Sequence, residues 1–324
     1  MLSRIAESVY WMSRFLERTD NTARLLDINL THLLEADEAG SEELQWAPLL
    51  HIVAGNEVYQ RIFPDGAVTG ARMIRYMVQE KGNSGSIYAA LKGARENARV
   101  ARDRVSKEMW EALNEFWLQV DGHVTHRLSP ERESVFFKHV RAEVARFHGL
   151  TVSTMLRGDA FSFYLLGTFL ERADMTARIL DVKYHRLLPD VAQVGSPLDY
   201  YQWGALLKSL SGFEAYRRHY HGGIRPLDVV DLVVFSRHFP RSLHFAVDRM
   251  TQAIQEIGTS QVDCAVCRAL EGLSALLTAR APEEVVREGL HEFLTDYLDQ
   301  LSTLHASLQN EYFEAHLGME QCVI

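Results

Sequence analysis

Phe15-Leu16-Glu17-Arg18-Thr19-Asp20-Asn21-Thr22-Ala23-Arg24-Leu25-Leu26-Asp27 returns 154 positions later as Phe169-Leu170-Glu171-Arg172-Ala173-Asp174-Met175-Thr176-Ala177-Arg178-Ile179-Leu180-Asp181. Ten of the thirteen positions are identical, and those ten include every charged one. A helix kept only for packing would retain its apolar stripe and let its charges drift. At 100° per residue, Glu17, Asp20, Arg24 and Asp27 fall on one narrow face, stacked one turn apart. Glu171, Asp174, Arg178 and Asp181 repeat that face, and His185 extends it by a turn. Tyr10 and Tyr164 sit at its N-terminal end, and Arg14 and Arg18 lie about 100° away.

Working outward, the duplication widens. Gln45-Trp46 matches Gln202-Trp203, Gly55 to Tyr59 matches Gly212 to Tyr216, and Ser86-Ile87 matches Ser242-Leu243, with offsets of 154 to 157. Met1-Leu2 aligns with Met155-Leu156. The first residues are therefore expected to belong to the folded unit, with no signal peptide ahead of them. The chain reads as two halves, about 1–150 and 151–324, in one all-α bundle of pseudo-twofold, duplicated design. The repeated helices are expected to pack together. The period is too long for a solenoid of 20 to 50 residues.

Apolar residues recur at three- and four-residue spacing throughout, without sustained alternation. Val229 to Phe235 is β-branched, but its position after Pro226 suits a buried helix. Gly, Pro, Ser and Asp place breaks at 38–43, 64–70, 81–86, 128–131, 189–197, 221–226 and 258–260. Ser86 and Ser242 are the expected N-caps, where a hydroxyl satisfies a free backbone N–H.

A net charge of −9 argues against a general binder of nucleic acid or anionic membrane. No apolar run reaches the roughly 20 residues of a membrane span. Three cysteines cannot pair completely, so a disulfide framework is not expected and a reducing cytoplasm fits. Cys264-Ala265-Val266-Cys267 has redox or metal spacing but lacks a second pair, and the reading is of two inert, partly buried thiols. No phosphate loop, nucleotide fingerprint or nucleophile elbow is present, and no cofactor or metal is implied.

The candidate binding residues are thus Tyr10, Glu17, Arg18, Asp20, Arg24, Glu171, Arg172, Asp174, Arg178 and His185. An exposed i,i+4 pair such as Asp20–Arg24 is worth only about 0.2–0.5 kcal/mol, too little to explain repeating the whole pattern. Three uses remain open. A buried ion-pair network could fix the packing of the halves, setting Glu17 against Arg178 and Glu171 against Arg24. A polar cleft could hold a carboxylate or phosphate on arginine forks, with Glu17 or Glu171 as base or amine ligand. A dimetal bundle site lacks the histidines it needs. The basic, aromatic stretch from Arg217 to Arg225 reads as a solvated turn. Trp46 and Trp203 read as core, and Arg95 to Arg99 as a charged solvent face.

Tyr10-Trp11-Met12-Ser13-Arg14-Phe15-Leu16-Glu17-Arg18 resembles the alpha-E family of bacterial all-helical proteins named for a Glu-Arg motif. So do Arg95-Glu96-Asn97-Ala98-Arg99, Trp110-Glu111-Ala112-Leu113-Asn114 and Phe239-Pro240-Arg241-Ser242, in order along nearly the whole chain. The resemblance implies Glu17, Arg18, Glu171 and Arg172 as motif positions. It also implies partnership with a circularly permuted ATP-grasp ligase and a transglutaminase-like protease, and hence a role around peptide-type amide bonds. A helical partner, an enzyme of amide or amino-acid chemistry, and a structural assembly protein all fit that setting, and a homodimer is compatible with it. One departure is Thr168, where the second motif usually carries arginine, so a site could be one-sided.

Overall fold

The computed structural model describes residues 2–35, 42–53, 55–124, 130–186, 197–257 and 264–314. Fifteen α-helices follow one another, and no strand occurs among the described residues. The first seven are α1 (Ser3–Glu35), α2 (Glu42–Ile52), α3 (Asn56–Ile62), α4 (Gly70–Ile74), α5 (Ile87–Val100), α6 (Lys107–Val124) and α7 (Pro130–Thr154). Next come α8 (Asp159–Arg186), α9 (Pro197–Ser209), α10 (Phe213–His219), α11 (Pro226–Val230) and α12 (Leu243–Glu256). The chain closes with α13 (Ala265–Thr278), α14 (Pro282–Glu288) and α15 (Leu290–Leu308). The chain divides into two compact units, one of Met1–Ser13 with Leu156–Ile324 and one of Arg14–Met155. Helix α1 thus contributes its first turns to one unit and its remainder to the other.

The same local devices occur in both units. Helices α4 and α11 each widen into a π-helical turn, Arg75–Gln79 and Asp231–Phe235. Each turn ends on an i→i+5 bond, from Glu80 N–H to the Arg75 carbonyl and from Ser236 N–H to the Asp231 carbonyl. The carbonyls of Glu80 and Ser236 then accept the hydroxyls of Ser86 and Ser242. Those same oxygens cap α5 and α12 by accepting the N–H groups of Ala89 and Phe245. One serine per unit therefore satisfies both a helix start and the preceding turn. Thr22 donates to the Gly85 carbonyl and Thr176 to the Arg241 carbonyl, which ties each copy of the repeated helix to the turn before its capped helix. The run Val229 to Val234, buried except at Asp231, is helical, as its position after Pro226 implies.

The first turns of α1 meet α8 at closely approaching backbones. A Cβ on Gly167 would run into the Ser13 hydroxyl and the Tyr10 carbonyl oxygen. Ser13 and Gly167 are equivalent positions of the repeat, and only the smallest residue fits the second of them.

Breaks at 101–106 and 279–281 are not marked by Gly or Pro clusters, and the first is set by Ser106 capping Met109 N–H. The reading of Arg95 to Arg99 as a solvated face is corrected in part. Arg95 lies over the Trp110 ring and donates to Asn114, which joins two of the motif stretches.

The expectation of two inert thiols is also corrected. Cys264 and Cys267 are joined as a disulfide with Cα atoms 5.1 Å apart. The physical reason is the helix start. Cys264 is the extended N-cap of α13, and its Sγ also accepts the Cys267 N–H at 3.0 Å, so one turn of helix brings the second sulfur onto the first. Glu311 caps the same end by accepting from Ala265 and Val266 N–H. Alkylation of unreduced, denatured protein should leave the peptide holding Cys264 and Cys267 unmodified, and prior reduction should add two labels by mass spectrometry. Labelling without reduction would contradict this pairing.

Candidate functional site

Each copy of the charged stripe is laid against the last long helix of its own unit. In the unit of Arg14–Met155, the stripe of α1 faces α7. Glu17 is fully buried, and His148 Nε2 stands 3.5 Å from its carboxylate. Asp20 takes a two-pronged contact from Arg24 at 2.8 and 3.0 Å. Asp27 accepts from the Ser134 hydroxyl at 2.9 Å and from Arg141 at 3.1 Å. Burying carboxylates is costly unless they are paired, and this stripe pairs them turn by turn.

In the other unit, α8 faces α15. Arg178 forks Asp174 at 2.9 and 3.0 Å, and His291 reaches Asp181 at 2.6 Å. Burial works against the Arg178 charge. Its bonds to Asp174 and the nearby Glu171 and Asp181 carboxylates outweigh that, and hold its pKa above the usual arginine value. Tyr297 is wholly buried beside this stripe, and its hydroxyl has no hydrogen-bond partner among the described residues. Burial first, and then the Asp174 charge, push its phenol pKa up. Tyr10 belongs to this unit, and its hydroxyl meets His305 Nδ1 at 2.8 Å with the two rings stacked.

The motif arginines point elsewhere. Arg18 lies over the Phe15 ring and Arg172 over the Phe169 ring, three residues back in each copy. Arg172 also donates to the Pro240 carbonyl at 3.3 Å, touching the Phe239-Pro240-Arg241-Ser242 stretch. Of the sequence candidates, Glu17, Asp20 and Arg24 line one stripe, and Glu171, Asp174 and Arg178 line the other. Arg18 and Arg172 flank them, and Tyr10 joins through His305. His185 lies in α8, with its side chain outside the described residues. Both Arg24 and Arg178 are held by the aspartate one turn back on their own helix.

Sequence reasoning did not pick out the facing partners. Ser134, Arg141 and His148 recur every seven residues on α7, and His291 and His305 are fourteen apart on α15. A polar residue returning at heptad spacing on a long amphipathic helix is the signal that could have found them.

The copies differ in closure. The Arg24 and Asp20 side chains are 9% and 7% exposed, whereas Arg178 and Asp174 are 31% and 25% exposed. Where α1 has the buried Arg14, α8 has the buried Thr168, whose hydroxyl has no hydrogen-bond partner among the described residues. Among the described residues no group of three or more His, Cys, Asp or Glu side chains converges in a metal-binding arrangement.

A family model described as Alpha-E, "a predicted alpha-helical domain with a conserved ER motif", matches residues 1–313. The chain belongs to the Alpha-E family. Among curated proteins, this Alpha-E chain is similar to uncharacterized proteins of Mycobacterium bovis and Mycobacterium tuberculosis, at 21% identity over 327 residues. The match covers 95% of this chain and 36% of each relative, so the Alpha-E chain spans about a third of the length of these relatives. No solved structure matches it. No helix of the described residues is long and apolar enough to cross a membrane.

Proposed function

We propose that this Alpha-E protein is the helical binding partner of an ATP-grasp amide or peptide ligase system. In this reading the α8 stripe is the recognition surface, and the α1 stripe is an internal latch. The observation that carries it is the difference in closure between two stripes of identical charge. The α1 copy is sealed, as a network that fixes packing requires. The α8 copy leaves Asp174, Arg178, Asp181 and His291 within reach of solvent, each already paired but able to exchange its partner for a peptide, an amino acid or the ligase itself. Recognition fits better than bond-making, because the half-open carboxylates are charge-compensated where they stand. Family membership supports the ligase setting. The relatives of nearly three times this length support a domain that works beside further polypeptide.

The test is binding of the purified chain to a circularly permuted ATP-grasp ligase of the same organism, by calorimetry. Arg178→Ala with Asp181→Ala should weaken binding by about tenfold or more while leaving helicity intact, since truncating paired charges at an interface costs at least that much. Undiminished binding by the double variant, or none by the unaltered chain, would remove the proposal.

A further inference from the structure

The repeats also differ at a groove that the charged stripe does not involve. A cavity of about 280 Å³ in the Arg14–Met155 unit is lined by Lys81, Tyr88, Ala89, Lys92, Gly93 and Glu96. Its residues lie on the turn before α5 and on the first turns of α5, the stretch that aligns with α12 through the two capping serines. At that offset of 156, Lys81 corresponds to Arg237, Tyr88 to His244, Lys92 to Asp248 and Glu96 to Gln252.

In the other unit an acid stands at the position of Lys92. The Asp248 carboxylate stands between two cations or potential cations, 3.9 Å from Arg237 Nη1 and 3.9 Å from His244 Nε2. In the α5 copy the acid has become a lysine. Lys81 stands over the Tyr88 ring at 5.4 Å, and neither Lys81 nor Lys92 has an ion-pair partner among the described residues. The carboxylates nearby are committed. Glu96 is held by Arg95 and Arg99, and Asp121 takes the Tyr88 hydroxyl. Two ammonium groups without ion-pair partners therefore flank a groove with an aromatic wall, a small-residue floor and the already paired Glu96, and the acid that Arg237 meets at position 248 is replaced on α5 by Lys92.

We infer that the Lys81–Lys92 groove binds the carboxylate of a ligand of amino-acid or short-peptide size, which gives Lys81 the negative charge that Asp248 gives Arg237 in the other repeat. The volume suits a small molecule. Lysine heads supply charge-assisted donors, and the Tyr88 face and the Gly93 floor accept a short aliphatic stem. The site is separate from the α8 stripe, so it stands or falls independently of the ligase partnership.

The test restores the internal acid. The chain is titrated with succinate and, separately, with inorganic phosphate, and calorimetry is followed by amide chemical-shift mapping. Succinate should bind saturably with shifts centred on α5, and Lys92→Asp should weaken it by about tenfold or more, because one charge-assisted contact is lost and a built-in acid competes for Lys81. Lys92→Met, which adds no acid, should weaken it less than Lys92→Asp does. Lys92 is exposed, so both variants should fold, and circular dichroism checks this. Tighter binding of phosphate than succinate would overturn the carboxylate assignment. Succinate binding that is absent, or equal in the unaltered chain and Lys92→Asp, would overturn the site.

Discussion

Arg24→Met should lower the stability of the protein by about 3–5 kcal/mol, while Arg178→Met, the same change at the equivalent residue, should cost less than about 1 kcal/mol. Both arginines fork an aspartate four residues earlier, with nearly the same distances. The difference lies in what is left behind. Removing Arg24 takes the two-pronged guanidinium away from an Asp20 carboxylate that water barely reaches, and the charge lost there is not replaced by solvent. Removing Arg178 leaves Asp174 a quarter exposed, and solvent screens most of the lost attraction. A loss of 3–5 kcal/mol corresponds to roughly 10 °C in thermal midpoint for a unit of this size. Asp20→Leu with Arg24→Met should recover most of it, since replacing both members of a buried pair by apolar groups is often neutral. Denaturation followed by circular dichroism measures all three. Equal losses at Arg24 and Arg178 would mean that the two stripes are closed alike, and would take away the basis for treating α8 as the open one.

Gly167→Ala should be heavily damaging for the addition of a single methyl, costing about 3 kcal/mol. The added carbon would meet the Tyr10 carbonyl oxygen, and a backbone oxygen cannot swing aside as a side chain can. Helices α1 and α8 would have to separate there, loosening the packing around Tyr10 and its bond to His305. Gly149→Ala on α7 is the matched control. Nothing lies within 4 Å of its Cβ position, so the exchange should raise stability by about 0.5–1 kcal/mol through helix propensity. The opposite signs of two identical substitutions are readable in one chemical-denaturation series. A neutral Gly167→Ala would mean that the helices do not approach so closely.

Much of this molecule is present in one dimension. The apolar period predicts helices, and the repeat of Phe15 to Asp27 at Phe169 to Asp181 locates the paired elements. Ser86 and Ser242 announce their caps because an N-terminal N–H must find an acceptor within a residue or two. Each of these is a local rule acting over at most a few turns. The sequence also picks out the charged stripe, since spacing alone sets which side chains share a helical face.

What faces that stripe was decided only in three dimensions. His148 and Arg141 come to Glu17 and Asp27 from more than a hundred residues away, and His291 reaches Asp181 from a similar distance. No local preference encodes such meetings. Tertiary structure also separated the two copies. Asp20-Arg24 and Asp174-Arg178 are the same letters at the same spacing, yet one pair is closed and the other half open. Burial depends on everything packed around a residue and not on the residue itself. The Cys264–Cys267 bond was unreadable for a related reason, because spacing allows a pair but only the N-cap geometry of α13 joins the sulfurs. Identical words in the chain therefore acquired different surroundings, and from surroundings come both the energies and the chemistry.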